Sequence, residues 1–200
     1  TGGSTNHALH LPAMAAAAGI ILTWDDFDAL SEVTPLLARL YPNGSADVNH
    51  FNAAGGMSFI ISQLLSSGLL HGDAKTIWGT QLSDYVAEPL LSDEGLTWRA
   101  GPTESLDMNI LRPCDKPHAS NGGLKMLKGN LGRAVMKISA VDASRHVITA
   151  PAAIFETEAQ VKEAYEAGAL ARDVIVVVRG QGPAATGMPE LHSLTPLLSI

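Results

Sequence analysis

The stretch Val174–His192, V-I-V-V-V-R-G-Q-G-P-A-A-T-G-M-P-E-L-H, runs a β-branched segment into glycines and then into a helix start. It reads as strand, loop, helix. Val174 to Val178 hold no polar residue, which suits a strand buried on both faces and surfacing at Asp173 and Arg179. Gly180, Gly182 and Gly187 mark places where backbone can adopt φ > 0 or approach a ligand closely. Pro189 fits a first helical position, and Glu190 then stands in the first turn. Two readings of Glu190 stand at this point. It complements the helix dipole, as first-turn acids ordinarily do and as the local pattern favours, or its carboxylate is placed for a cation.

Upstream of that stretch, strand signals dominate. Ala134–Val141 alternates around Val135, Met136, Ile138 and Val141, Val147–Thr149 follows a turn at Asp142–Ser144, and Ala153–Phe155 reads as another short strand. Thr157 and Gln160 make a capping box for a helix with Val161, Ala164 and Tyr165 inward, closed by Gly168. Lys125, Lys128, Arg133 and Lys137 cluster beside the glycine loop G-N-L-G at 129–132. Solvated surface is one reading. A phosphate or carboxylate site is the other, with Arg133 as the bidentate donor. Neither G-N-L-G nor G-P-A-A-T-G-M is a P-loop, for both lack the Lys-Ser/Thr pair.

The first half reads as helices. His7–Gly19 is alanine-rich, with Ser4, Thr5 or Asn6 available as a cap and Pro12 marking either a kink or the true first turn. His7 and His10 share the spacing of metal ligands but lack an acid or third ligand beside them. Thr23 and Asp26 form a capping box for a second helix. Asp47, Asn49 and His50 precede the pair Gly55-Gly56, whose N–H groups could face an anion. Met57, Ile60, Ile61, Leu64 and Leu65 then repeat at helical spacing. A short helix is expected around Leu82–Ala87. Residues 92–123 are rich in Gly and Pro. The expected organisation is α/β. Residues 1–98 form the end of an N-terminal helical α/β domain, 99–123 a connector, and 124–200 the start of a β-rich, swivel- or barrel-like C-terminal domain with a few helices.

Composition narrows the function classes. The chain has 200 residues, 46% hydrophobic and 16% charged, enough for one sizeable core or two small ones. A net charge of −7 repels polyanions and argues against nucleic acid as a partner. One cysteine, Cys114, excludes a disulfide framework or a self-contained thiolate metal site within the chain. No apolar run approaches the roughly 20 residues of a membrane helix. A cytoplasmic setting, no membrane partner and a place inside a longer polypeptide are therefore expected.

Several stretches together resemble one enzyme family: T-G-G-S-T-N-H at 1–7, L-T-W-D-D-F at 22–27, Y-P-N-G-S-A-D-V-N-H-F at 41–51, A-A-G-G at 53–56, G-L-L-H at 68–71, G-N-L-G-R-A-V at 129–135, A-P-A at 150–152 and Q-G-P-x-A-x-G-M-P-E-L-H at 181–192. These are similar to the dihydroxyacid/phosphogluconate dehydratase family, and L-G-R-A-V and the L-H after Glu190 resemble its phosphogluconate branch more closely. The resemblance implies a hydro-lyase of the Entner–Doudoroff pathway of gluconate metabolism, dehydrating 6-phosphogluconate to 2-keto-3-deoxy-6-phosphogluconate. Another sugar acid or dihydroxyacid is the alternative substrate, and an inactive structural piece the alternative role. It also implies a 4Fe–4S cluster and Mg²⁺ as cofactors, a small anionic sugar acid as substrate, and a homodimer. The cluster cysteines would lie before Thr1 and a serine base after Ile200, so no catalytic residue is expected here. Residue by residue, Glu190 matches the family's Mg²⁺-binding glutamate, which reverses the local preference. Ser4, Thr5, Asn6 and His7 are expected near substrate, with Arg133 at one of its anionic ends. Asn49 departs from an acidic position of the dihydroxyacid branch.

Overall fold

The computed structural model describes residues 1–79, 81–187 and 191–198. The chain is mixed α/β and divides into two compact units, Thr1–Ala143 and Ser144–Ile200. Among the described residues no helix is long and apolar enough to cross a membrane.

The first unit opens with α1 (His7–Ala17) and α2 (Trp24–Val33). No side chain caps α1. The Ser4 hydroxyl instead accepts from the Asn6 N–H at 3.2 Å, and the carbonyls of Ser4, Thr5 and Asn6 receive the first helical N–H groups. Pro12 lies inside α1 and has no N–H to give the Ala8 carbonyl four residues back. That carbonyl is filled from outside, for the Trp24 indole Nε1–H donates to it at 2.9 Å and ties the two helices together. The α2 capping box forms as its sequence dictates. Thr23 N–H donates to Asp26 Oδ2 at 2.7 Å, and Asp26 N–H to Thr23 Oγ1 at 3.4 Å.

The core is built on α4 (Gly56–Ser66), entered through the short α3 (Val48–Ala53). Its inward face is Phe59, Ile60 and Leu64, packed with Leu37, Ala54, Ile110 and Leu111. The helical spacing pointed to a face rotated from this one, since Met57 is 58% exposed while Phe59 is fully enclosed. Gly55 and Gly56 are also buried here. An added Cβ on Gly55 would lie 3.0 Å from that of Phe59, so Gly55 admits the close approach of that side chain.

Residues 99–123 do more than connect. Arg39 N–H donates to Ile110 O, Arg112 N–H to Leu37 O, and His118 N–H to Leu36 O, which seats Ile110 and Leu111 in the core. Two hairpins complete the unit. Strands β1 (Ala87–Ser92) and β2 (Gly95–Ala100) pair antiparallel, preceded by a 3₁₀ turn at Leu82–Val86 in place of the expected helix. Strands β3 (Leu124–Gly129) and β4 (Gly132–Lys137) pair antiparallel around Asn130-Leu131, so G-N-L-G is an exposed hairpin turn. The strand expected to run to Val141 ends at Lys137 and passes into a 3₁₀ turn at Ile138–Ala140.

In the second unit, β5 (Ala152–Phe155), α5 (Glu158–Glu166) and β6 (Ile175–Val178) form a parallel βαβ unit in the register Ala152↔Ile175 to Phe155↔Val178. Thr157 caps α5 by accepting from Gln160 N–H, and Val161 is fully buried beneath it. The Val174 stretch is thus a strand, half-buried and, among the described residues, paired with one neighbour, where the sequence predicts cover on both faces. Val147–Thr149 forms no strand. After the loop come α6 (Pro183–Thr186), a 3₁₀ turn at Leu191–Leu194 and α7 (Thr195–Leu198).

Replacing Trp24 by Phe leaves the buried Ala8 carbonyl without a donor. It is expected to cost about 1–3 kcal/mol of unfolding free energy, read from the denaturation midpoint. Adding Pro12→Ala, which restores a helical N–H, should recover part of that loss. A double variant no better than Trp24→Phe alone would contradict the account.

Candidate functional site

The segment expected to face substrate, residues 4–7, is exposed and follows two glycines held from below. Gly2 has φ +102°, and an added Cβ would sit 2.8 Å from the Ala38 carbonyl oxygen, so only glycine fits there. Ala38 N–H donates to Thr1 O at 3.3 Å. The His7 ring lies over Gly3, whose built Cβ would be 3.0 Å from His7 Nδ1. Among the described residues the side chains of Thr5 and Asn6 make no hydrogen bond, so a hydroxyl and an amide remain available to a ligand.

Beneath Gly2 two other stretches converge. The buried Asn43, from Y-P-N-G-S, accepts at Oδ1 from the Ser139 hydroxyl at 3.0 Å, and its Nδ2 lies 3.6 Å from the position of a Gly2 Cβ. Lys137, at the end of β4, extends Nζ to the Gly2 carbonyl at 3.4 Å. The structure therefore gathers parts of 1–7, 41–45 and 134–139 at one place. These lie far apart in sequence.

Arg133 is placed elsewhere. Its Nη2 contacts Asp25 Oδ2 at 2.5 Å, and Lys128 Nζ meets Asp25 Oδ1 at 2.9 Å. Lys125 Nζ reaches Glu32 at 2.6 Å and Asp28 at 3.3 Å. Asp25, Asp28 and Glu32 stand at i, i+3 and i+7 on one face of α2, so the acids of that helix occupy three of the four basic residues of the second hairpin. The hydrogen bond from Lys128 holds the Asp25 carboxyl below the usual carboxylate range, with Arg133 reinforcing it. Because that value is depressed, the contribution of Asp25 is present above the unfolded carboxylate value, about 3.9, and is lost as pH falls through the lower folded one.

The other sequence candidates resolve as follows. Asp47 caps α3, accepting from the N–H groups of Asn49 at 2.8 Å and His50 at 3.0 Å. Cys114 is half-buried, its Sγ 3.5 Å from the Gln63 carbonyl and its N–H donating to Gln63 Oε1. Among the described residues no three His, Cys, Asp or Glu converge as metal ligands, and His7 and His10 gain no third partner. Glu190 lies outside the described residues. A cleft of about 1130 Å³ between α4 and the first hairpin, walled by Trp78, Tyr85 and Trp98, is lined also by Gly55 and Gly56 but by none of Ser4, Thr5, Asn6, His7 and Arg133. Sequence reading missed that hairpin, because Pro89 argues against a strand and only Asp93-Glu94-Gly95 signals its turn.

An NMR titration of the Asp25 carboxyl should give a value below the ordinary range, rising towards it in Lys128→Met. An unchanged value in that variant would show that the ion pair does not form.

Residues 1–85 match the family model for the dihydroxy-acid/6-phosphogluconate dehydratase N-terminal region, and residues 109–200 that for the C-terminal region. Across its full length the chain is 59% identical to the phosphogluconate dehydratase of Pseudomonas aeruginosa and 56% identical to that of Escherichia coli K12. It is 37% identical, over 198 residues and 98% of its length, to the dihydroxy-acid dehydratase of Roseiflexus castenholzii. Each match covers 33% of the relative, so the chain spans about a third of the length of these curated relatives. With both halves matching one family, the chain belongs to the dihydroxy-acid/6-phosphogluconate dehydratases.

Proposed function

We propose that the chain is the central third of a hydro-lyase that converts 6-phosphogluconate to 2-keto-3-deoxy-6-phosphogluconate in the Entner–Doudoroff pathway. The observation that carries this reading is the gap in identity: 50–59% to relatives named phosphogluconate dehydratase against 37% to one named dihydroxy-acid dehydratase. The full protein on this reading is a cytoplasmic homodimer with a small anionic sugar acid as substrate. The two-domain organisation expected from sequence belongs to the same proposal, with the family boundary falling between residues 85 and 109.

The reaction must remove a weakly acidic proton from C2, beside a carboxylate, and expel hydroxide, a poor leaving group, from C3. A Lewis acid, here a 4Fe–4S cluster together with Mg²⁺, supplies the second requirement when bound. The residues present do not fit a cluster, since the one cysteine is tied to Gln63. Its ligands belong to other parts of the full protein. For Mg²⁺ the hard carboxylate of Glu190 suits one ligand among several. This chain's own part is to hold and orient the sugar acid. Ser4, Thr5 and Asn6 offer hydroxyl and amide groups to its hydroxyls, and His7 closes over the glycine turn. Arg133, expected at an anionic end, is held by Asp25 and stands as the weakest member of the set.

The full-length enzyme should turn over 6-phosphogluconate with kcat/KM at least about 100-fold above that for 2,3-dihydroxy-3-methylbutanoate, a separation of at least about 2.7 kcal/mol. Equal or reversed preference would move the chain to the dihydroxyacid branch. For Glu190→Gln in the same enzyme, most turnover should vanish with the melting temperature unchanged and Mg²⁺ binding measurably weakened. Near-normal turnover with unaltered Mg²⁺ affinity would return Glu190 to a dipole role, worth only about 0.3–1 kcal/mol.

A further inference from the structure

We propose that Lys137 is the cation that receives an oxyanion of the substrate at the Gly2–Gly3 turn. The inference rests on the reading above, in which residues 4–7 face a sugar acid.

Of the four basic residues on the second hairpin, Lys125, Lys128 and Arg133 are matched to carboxylates of α2 at 3.3 Å or less. Lys137 is different. Among the described residues it has no carboxylate within ion-pair distance, and its recorded partner is the neutral carbonyl of Gly2 at 3.4 Å. It is also half-buried, and burial pushes its ammonium below the usual lysine range. A charge drawn partly out of water without a counter-charge is costly, and an arriving anion removes that cost.

Its position gives the anion a setting. The Gly2–Gly3 segment has no side chains of its own, the His7 ring flanks Gly3, and among the described residues the Thr5 and Asn6 side chains beyond make no hydrogen bond. The Ser139–Asn43 hydrogen bond fixes the chain two residues beyond Lys137, and Ala38 fixes Thr1. The lysine therefore meets the turn from a braced strand end. The ligand chemistry is a carboxylate or a phosphate on a small polyhydroxylated acid, and the two are separable by substrate.

The test uses the full-length enzyme with its cofactors loaded. Lys137→Gln should raise KM for 6-phosphogluconate on the order of 10- to 100-fold, the loss of a hydrogen bond to a charged group, with kcat little changed. Lys137→Arg should recover most of it. A rise confined to 6-phosphogluconate places the phosphate at Lys137. An equal rise for gluconate places the carboxylate there. An unchanged KM, or a fall in kcat alone that Arg does not rescue, would reduce Lys137 to a prop for Gly2 and overturn the proposal. A second arm needs no variant. Acetylation of Lys137 in the wild-type enzyme, followed by mass spectrometry, should slow when 6-phosphogluconate is added, and an unchanged rate also overturns it. Absence of wild-type turnover on both acids would count against the proposed activity. Normal turnover with no Lys137 effect counts against Lys137 alone.

Discussion

The contact between α2 and the second hairpin ties together parts of the first unit that lie about a hundred residues apart in sequence. Met126 N–H donates to Asp28 Oδ1 at 2.9 Å and Leu124 N–H to the buried Ser31 hydroxyl at 3.0 Å, so the first residues of β3 hydrogen-bond directly to the helix. The ion pairs of Asp25 with Lys128 and Arg133 are exposed and add orientation more than stability. Through Trp24 the same helix holds α1 at its proline-freed carbonyl, and α1 carries residues 1–7 at its start. Hairpin, helix and glycine turn form one chain of contacts. This is why the compact unit runs to Ala143, whereas the matching C-terminal family model begins at 109.

That arrangement separates four basic residues that look alike in sequence. Their neighbours along the chain do not tell Arg133 from Lys137. The acids that claim Arg133, Lys128 and Lys125 lie about a hundred residues earlier, and the carbonyl beside Lys137 lies 135 residues earlier. A bidentate arginine was the better guess on donor geometry. Among the described residues Lys137 alone of these four has no carboxylate partner, and its Nζ lies at the Gly2 carbonyl.

Much of the local structure was legible. The capping box at Thr23, the N-cap at Thr157, the helix of 158–166 and the strands at 152–155 and 175–178 follow from side-chain chemistry within a few residues. What failed depended on distant partners. The buried face of α4 turns on Phe59, which meets Leu37, Ile110 and Leu111 from other segments. The glycine- and proline-rich run 99–123 reads as a linker until its backbone is seen bonded to residues 36–39. The stretch 87–100 hides a hairpin because Pro89 sits in it, opposite Trp98. For the site, residues 1–7 stood out as a dense motif, but Asn43 and Lys137 beneath them could be joined to it only in three dimensions.

The central claim is that the glycine turn, with Lys137 below and Thr5, Asn6 and His7 beyond, is the substrate-facing part of this third of the enzyme. The most direct measurement is a crystal structure of the full-length protein with 6-phosphogluconate bound. The account predicts an oxyanion of the ligand within hydrogen-bond distance of Lys137 Nζ and a sugar hydroxyl at Thr5 or Asn6. A ligand bound away from residues 2–7, with Lys137 still on the Gly2 carbonyl, would contradict it.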